Sequence, residues 1–151
     1  MWIEDFGGVT YLLTGNRKFV LAIDFGGQYA HLITRRIREI GVYSELIAYS
    51  DVIEEKLLSD ERLGGVILSG GPSSVYDEDA PAVSRKFLDS LVGKGIPILG
   101  ICYGHQLIAF LFGGKVEPTI SREYGKVKLN VTDKTDLLKG LRNNETVWMS
   151  H

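Results

Sequence analysis

Short apolar runs and helical stripes alternate along residues 19–112. Phe19 to Asp24 (FVLAID) is apolar without strict alternation, the pattern of a strand covered on both faces in a parallel sheet. Phe25-Gly26-Gly27 reads as a βα turn, with Gln28 expected to open a helix. Tyr29, Leu32, Ile33, Ile37 and Ile40 then recur at helical spacing, with Arg35, Arg38 and Glu39 between them and Gly41 as the closing C′ residue. Tyr43 to Ala48 reads as a second strand, and Asp51 as the N-cap of a short helix reaching about Ser59. Gly65 to Ser69 predicts a third strand entering the turn Gly70-Gly71-Pro72. Ala80 to Val92 predicts a helix, with Asp79 as N-cap and Pro81 near its first turn. Ile96 to Ile101 is a fourth apolar run, and Tyr103 to Phe112 a helix stopped by Gly113-Gly114.

Four such alternations predict an α/β fold, a doubly wound, mostly parallel sheet with right-handed crossovers. The remainder differs. Lys126 to Val131 (KVKLNV) alternates, which predicts an antiparallel edge or hairpin extension. Thr135 to Leu141 reads as a short helix and Thr146 to Ser150 as a last strand. Residues 1–18 show no clear period and are taken as a leader of uncertain structure.

Composition narrows the function classes. The 151 residues carry 17 basic and 19 acidic side chains, a net charge of −2, which argues against a nucleic-acid-wrapping module. With 44% hydrophobic and 24% charged residues the chain is ordinary globular protein rather than disordered. No apolar run approaches about 18 residues, so no membrane-spanning helix is expected. MWIEDFGG places acids where an export signal carries positive charge. The single cysteine, Cys102, cannot form an internal disulfide, and cytoplasmic residence is the expectation.

Ligands of open α/β sheets gather at the carboxyl ends of the strands. Three segments fall there: Phe25 to Gln28, Ser69 to Ser74 and Cys102 to Gln106. Gly100-Ile101-Cys102-Tyr103-Gly104 joins an apolar strand directly to a helix and is the cysteine version of the G-x-S-x-G nucleophile elbow. So sharp a turn requires small residues two before and two after the nucleophile. The helix N-terminus would aim its N–H groups at negative charge developing there. The alternative is a structural cysteine buried in the core. Ser69-Gly70-Gly71-Pro72 reads equally as an oxyanion donor or as a plain tight turn. Neither the dinucleotide fingerprint nor the P-loop pattern occurs. His31, His105 and His151 with one cysteine give no zinc spacing, and Arg35, Arg36 and Arg38 read as a solvated face.

Gly100-Ile101-Cys102-Tyr103-Gly104-His105-Gln106 resembles the nucleophile motif of class I (triad-type) glutamine amidotransferases. Ile23 to Glu45, LSGGPSSVYDEDAP (Leu68 to Pro81), SREYGKV (Ser121 to Val127) and VWMSH (Val147 to His151) are similar, within that family, to the glutaminase domains of GMP synthetases. The resemblance runs from about Phe19 to His151 and implies a flavodoxin-like amidotransferase fold. It implies that Cys102 attacks glutamine, that Gly71 and Tyr103 N–H groups form an oxyanion hole, and that Gly70, Gln106, Ser150 and His151 line the substrate pocket. Ammonia would pass to an ATP-pyrophosphatase domain or subunit for amination of XMP to GMP. That partner would bind ATP and Mg, and this domain would need no cofactor, metal, nucleic acid or membrane. The family's H-P-E motif, which supplies the base, does not occur in the 151 residues. The resemblance therefore implies a domain incomplete at its C-terminus and inactive alone, or else a non-catalytic scaffold for the synthetase partner. A cysteine-elbow hydrolase or chaperone is the third reading.

Overall fold

The computed structural model describes residues 3–6, 9–12, 18–117 and 124–150. They form strands β1 (Ile3–Phe6), β2 (Val9–Leu12), β3 (Phe19–Asp24), β4 (Ser44–Ala48), β5 (Leu63–Leu68), β6 (Ile98–Gly100), β7 (Tyr124–Asn130) and β8 (Asn144–Ser150). The helices are α1 (Ala30–Glu39), α2 (Glu54–Ser59), α3 (Arg85–Gly93) and α4 (Tyr103–Leu111). Residues Met1–Val116 and Glu117–His151 are two compact units.

In the first unit, β4, β3, β5 and β6 lie side by side in that order, all parallel. Chain order is thus 2-1-3-4, with β3 central and the direction of winding reversing beside it, the arrangement that opens a crevice at the strands' carboxyl ends. Leu21, Ala22 and Ile23 are buried at consecutive positions, so both faces of β3 are covered, as the unalternating sequence required. Leu63, Val66 and Leu68 of β5 join Phe87, Leu88 and Leu91 of α3 and Leu107 of α4 in the core. β1 and β2 pair as an antiparallel hairpin within the segment where the sequence showed no period.

Helix ends follow local chemistry. α1 closes in a Schellman motif: Gly41, at φ +83°, donates to Arg38 O at 2.9 Å, and Val42 N–H reaches Ile37 O at 3.2 Å. Arg35 and Arg36 pair with Glu39 in solvent, as expected of an exposed face. Arg38 is exposed as well, but it also reaches back to the sheet. Its guanidinium donates to the Ser44 carbonyl at 3.1 and 2.6 Å, while Ser44 Oγ donates to Thr34 O at 2.9 Å, fixing α1 on the start of β4.

Three helix starts differ from the sequence reading. α1 begins at Ala30 rather than Gln28, because Asp24 and the glycines hold residues 25–27 in a turn. Asp51 ends a 3-10 turn, Tyr49–Asp51, and its carboxylate accepts from Ser50 Oγ instead of a helix N–H, so α2 begins at Glu54. α3 begins at Arg85, not Ala80. Residues 81–84 stay outside the helix because the Pro81 carbonyl accepts the Tyr103 hydroxyl at 2.6 Å and Ser84 takes the N-cap, its Oγ accepting Phe87 N–H at 2.9 Å. Glu54 clasps that cap from α2, accepting Ser84 N–H at 2.7 Å and Ser84 Oγ–H at 2.6 Å.

In the second unit β7 and β8 pair antiparallel from Tyr124↔Ser150 to Asn130↔Asn144. The alternation of KVKLN is that of this hairpin: Val127 and Val147 are half-buried, whereas Lys126 and Trp148, paired on the other face, are exposed. The helix expected over Thr135–Leu141 is a 3-10 turn, Asp136–Leu138.

Candidate active site

Cys102 stands between β6 and α4 as the N-cap of the helix, at φ 49° and ψ −111°. It is the one non-glycine residue with positive φ among the described residues, and it is exposed. A side chain held in so sparsely populated a backbone region costs about 1–3 kcal/mol and persists only where its surroundings dictate it. The surroundings here are two glycines. A Cβ on Gly100 would fall 2.6 Å from the His105 backbone, and a Cβ on Gly104 would overlap the Leu68 carbonyl. The tight turn is sewn to the end of β5: Ile101 N–H donates to Leu68 O at 2.9 Å and Gly104 N–H to Ser69 O at 3.0 Å. Cys102 is thus not buried in the core, and the backbone makes a sharp strand-to-helix turn at this residue.

The three segments at the carboxyl ends meet backbone to backbone. Gly70 lies against the elbow, where a Cβ would be 3.5 Å from that of Cys102. Gly71 is pressed on the Phe25 carbonyl, leaving 2.5 Å for a Cβ, and a Cβ on Gly27 would overlap the Gly70 carbonyl. Glycine at 27, 70 and 71 is thus what lets three loops converge. Asp24 shapes the first loop, its Oδ1 accepting N–H from Gly26 at 2.8 Å and Gly27 at 3.2 Å.

Tyr103 contributes at both ends. Its backbone N–H, at the first turn of α4, donates to no protein acceptor among the described residues, and the same holds for Gly71 N–H. Its buried ring packs on Phe25 at 5.4 Å, and Phe25 in turn stacks on Tyr49 at 6.0 Å. Burial, and then the negative charge of Asp77, push its phenol above the ordinary value. Gln106 is half-buried one turn along α4, its N–H donating to Cys102 O at 3.1 Å, and His105 is exposed beside it.

Cys102, Gly70, Gly71, Tyr103 and Gln106 are therefore brought together. Ser150 ends β8 in the second unit, opposite Tyr124, and His151 lies outside the described residues, as does 121–123 of the SREYGKV segment. Among the described residues, no group of three or more His, Cys, Asp or Glu side chains is placed to hold a metal ion, and no helix is long and apolar enough to cross a membrane. Two residues without a role in the sequence reading, Asp24 and Ser69, prove to organise the loops. The D-x-G spacing of Asp24 was the legible signal for its turn. Ser69 carried none beyond its place before two glycines.

An exposed thiol beside two N–H groups without protein acceptors among the described residues, in a corner built by close glycine contacts, is an arrangement that suits acyl transfer. Comparison with known proteins points the same way. The family model described as "Glutamine amidotransferase class-I" matches residues 21–151. The chain is 52% identical over 132 residues to a Listeria innocua protein named GMP synthase [glutamine-hydrolyzing], covering 87% of this chain and 24% of that one. It is 48% identical over 136 residues to the protein of that name from Gloeothece citriformis, covering 90% of this chain and 24% of the relative. It thus spans about a quarter of the length of the curated relatives it matches. The crystal structure of a putative GMP synthase subunit from Thermoplasma acidophilum superposes with a TM-score of 0.64 at 34% identity, over 87% of this chain and 63% of that one. A glutamine amidotransferase from Methylobacillus flagellatus shares the fold, with a TM-score of 0.66 at 22% identity over 89% of this chain and 55% of that chain.

Proposed function

The chain belongs to the class-I glutamine amidotransferase family, and from that premise we propose that it is the glutaminase part of a GMP synthase. Cys102 attacks the side-chain amide carbon of glutamine, a carbon–sulfur bond forms, and the amide oxygen takes up negative charge. N–H groups of Gly71 and Tyr103 receive that oxyanion. Collapse breaks the carbon–nitrogen bond, the nitrogen takes up the proton that the thiol gave up and leaves as ammonia, and a γ-glutamyl thioester remains. Water then releases glutamate and restores the thiol. Gly70, Gln106 and the Ser150–His151 segment hold the substrate. Ammonia goes to an ATP-pyrophosphatase domain or subunit, which uses ATP and Mg to aminate XMP to GMP in the cytoplasm. The observation that carries the reading is Cys102 itself, exposed and held at positive φ at the start of α4.

The test is covalent. A chloroketone analogue of glutamine should alkylate Cys102 with saturation kinetics, the sulfur displacing chloride, and free glutamine should protect. Labelling that glutamine does not slow, or that falls elsewhere than on Cys102, overturns the assignment.

A further inference from the structure

We propose that Ser69 is a positioning residue that sets the orientation of the Gly70–Gly71 peptide, and with it the oxyanion-binding N–H of Gly71. The inference rests on the glutaminase reading and goes one layer outward from it. Ser69 closes β5, is fully buried, and joins all three loops. Its own N–H donates to Ile23 O at 3.0 Å, at the end of β3, and its carbonyl accepts Gly104 N–H at 3.0 Å, at the start of α4. Its hydroxyl oxygen accepts Phe25 N–H at 3.1 Å, and of the two acceptors within its reach the Gly70 carbonyl is the nearer, at 2.9 Å against 3.5 Å for Asp24 Oδ1.

The contact with Gly70 O is the important one. The carbonyl of Gly70 and the N–H of Gly71 belong to one planar trans peptide and point in opposite directions. A hydroxyl that holds the oxygen on one side therefore presents the N–H on the other. Two successive glycines give the backbone its widest freedom, and without a restraint that peptide can rotate about its flanking bonds. Rotation would exchange a donor for an acceptor where an anion must form. Gly27 backs the restraint, because it is flush against the Gly70 carbonyl from the first loop. Gly71, closed against Phe25 O of the same loop, adds to it. Oxyanion donors act by being fixed before charge develops, so the role predicts an effect on chemistry larger than any effect on binding.

The experiment compares two alkylations of Cys102, followed by mass spectrometry on the 151-residue chain. The glutamine chloroketone passes through a tetrahedral adduct whose oxygen needs the N–H donors. Iodoacetamide reacts by direct displacement and does not. In S69A the saturating rate with the chloroketone should fall about tenfold or more, a loss in the range expected for a misplaced donor. Its half-saturation and the iodoacetamide rate should stay within about threefold, as should both chloroketone parameters of S69T, which keeps the hydroxyl. Unchanged chloroketone kinetics in S69A, or equal losses with both reagents, overturn the proposal. If S69A does not fold, S69T decides: a chloroketone-to-iodoacetamide ratio reduced despite the retained hydroxyl overturns it, and a preserved ratio supports it. A wild-type chain that glutamine fails to protect overturns the glutaminase reading instead, and the positioning role falls with it.

Discussion

At the residue scale, the site depends on one strained backbone and its close neighbours. Cys102 at φ 49° pays for its exposure in conformational energy. Replacing it separates that strain from its chemistry. Cys102→Ala keeps the strain, whereas Cys102→Gly releases it. The glycine variant should be more stable than the alanine variant by about 1 kcal/mol in denaturant unfolding, with neither labelled by the chloroketone. Tyr103 offers a second residue-level check. Tyr103→Phe removes the hydroxyl that satisfies the Pro81 carbonyl and should lower unfolding free energy by about 1–2 kcal/mol. Because burial raises the folded-state phenol above its ordinary value of 10.0, its contribution is full below that pH and is lost as pH rises through the raised value. Stability measured against pH should therefore fall less steeply above pH 10 in the phenylalanine variant than in the native chain. The sharp turn at Cys102 was legible in the sequence because Gly100 and Gly104 leave a local mark. Ser69 was not, since its partners Phe25 and Asp24 are 44 and 45 residues away.

At the element scale, apolar runs located the parallel strands well: β3 occupies the predicted residues, and β5 is displaced by no more than two at its start. Helix starts fared worse, for a physical reason. Asp79 before Pro81 has the look of an N-cap, yet a capping side chain competes with tertiary partners. Here Tyr103 claims the Pro81 carbonyl and Glu54 claims Ser84, so the helix waits until Arg85. The second unit yields a pH-dependent expectation. Side-chain hydrogen bonds from Arg142, aided by its backbone N–H, lower the Glu145 carboxyl from 4.5 to about 2. The folded hairpin thus binds this proton less readily than the unfolded chain. Its contribution is present above pH 4.5 and is lost as pH falls towards about 2. A carboxyl titration followed by NMR should show Glu145 with its midpoint near that low value, moving back towards 4.5 in Arg142→Ala.

At the scale of the whole molecule, the two units differ in construction. The first has a sheet covered on both faces, whereas the second is a two-stranded ladder with one face carrying exposed Tyr124 and Trp148. Isolated two-stranded hairpins are marginal in water. Amide hydrogen exchange should therefore report an opening free energy for β7 and β8 at least about 2 kcal/mol below that of β3 and β5. Equal protection in the two sheets would contradict this ranking. The position of the reactive corner along the chain has a consequence for its biosynthesis. Every group shown to converge on the thiol, from Asp24 to Gln106, precedes the ladder. Domains emerging from the ribosome fold amino-terminal parts first. The nascent polypeptide can thus assemble this corner once Gln106 has cleared the ribosome, before the ladder has emerged to pair, and the exposed sulfur meets its surroundings from that moment onward.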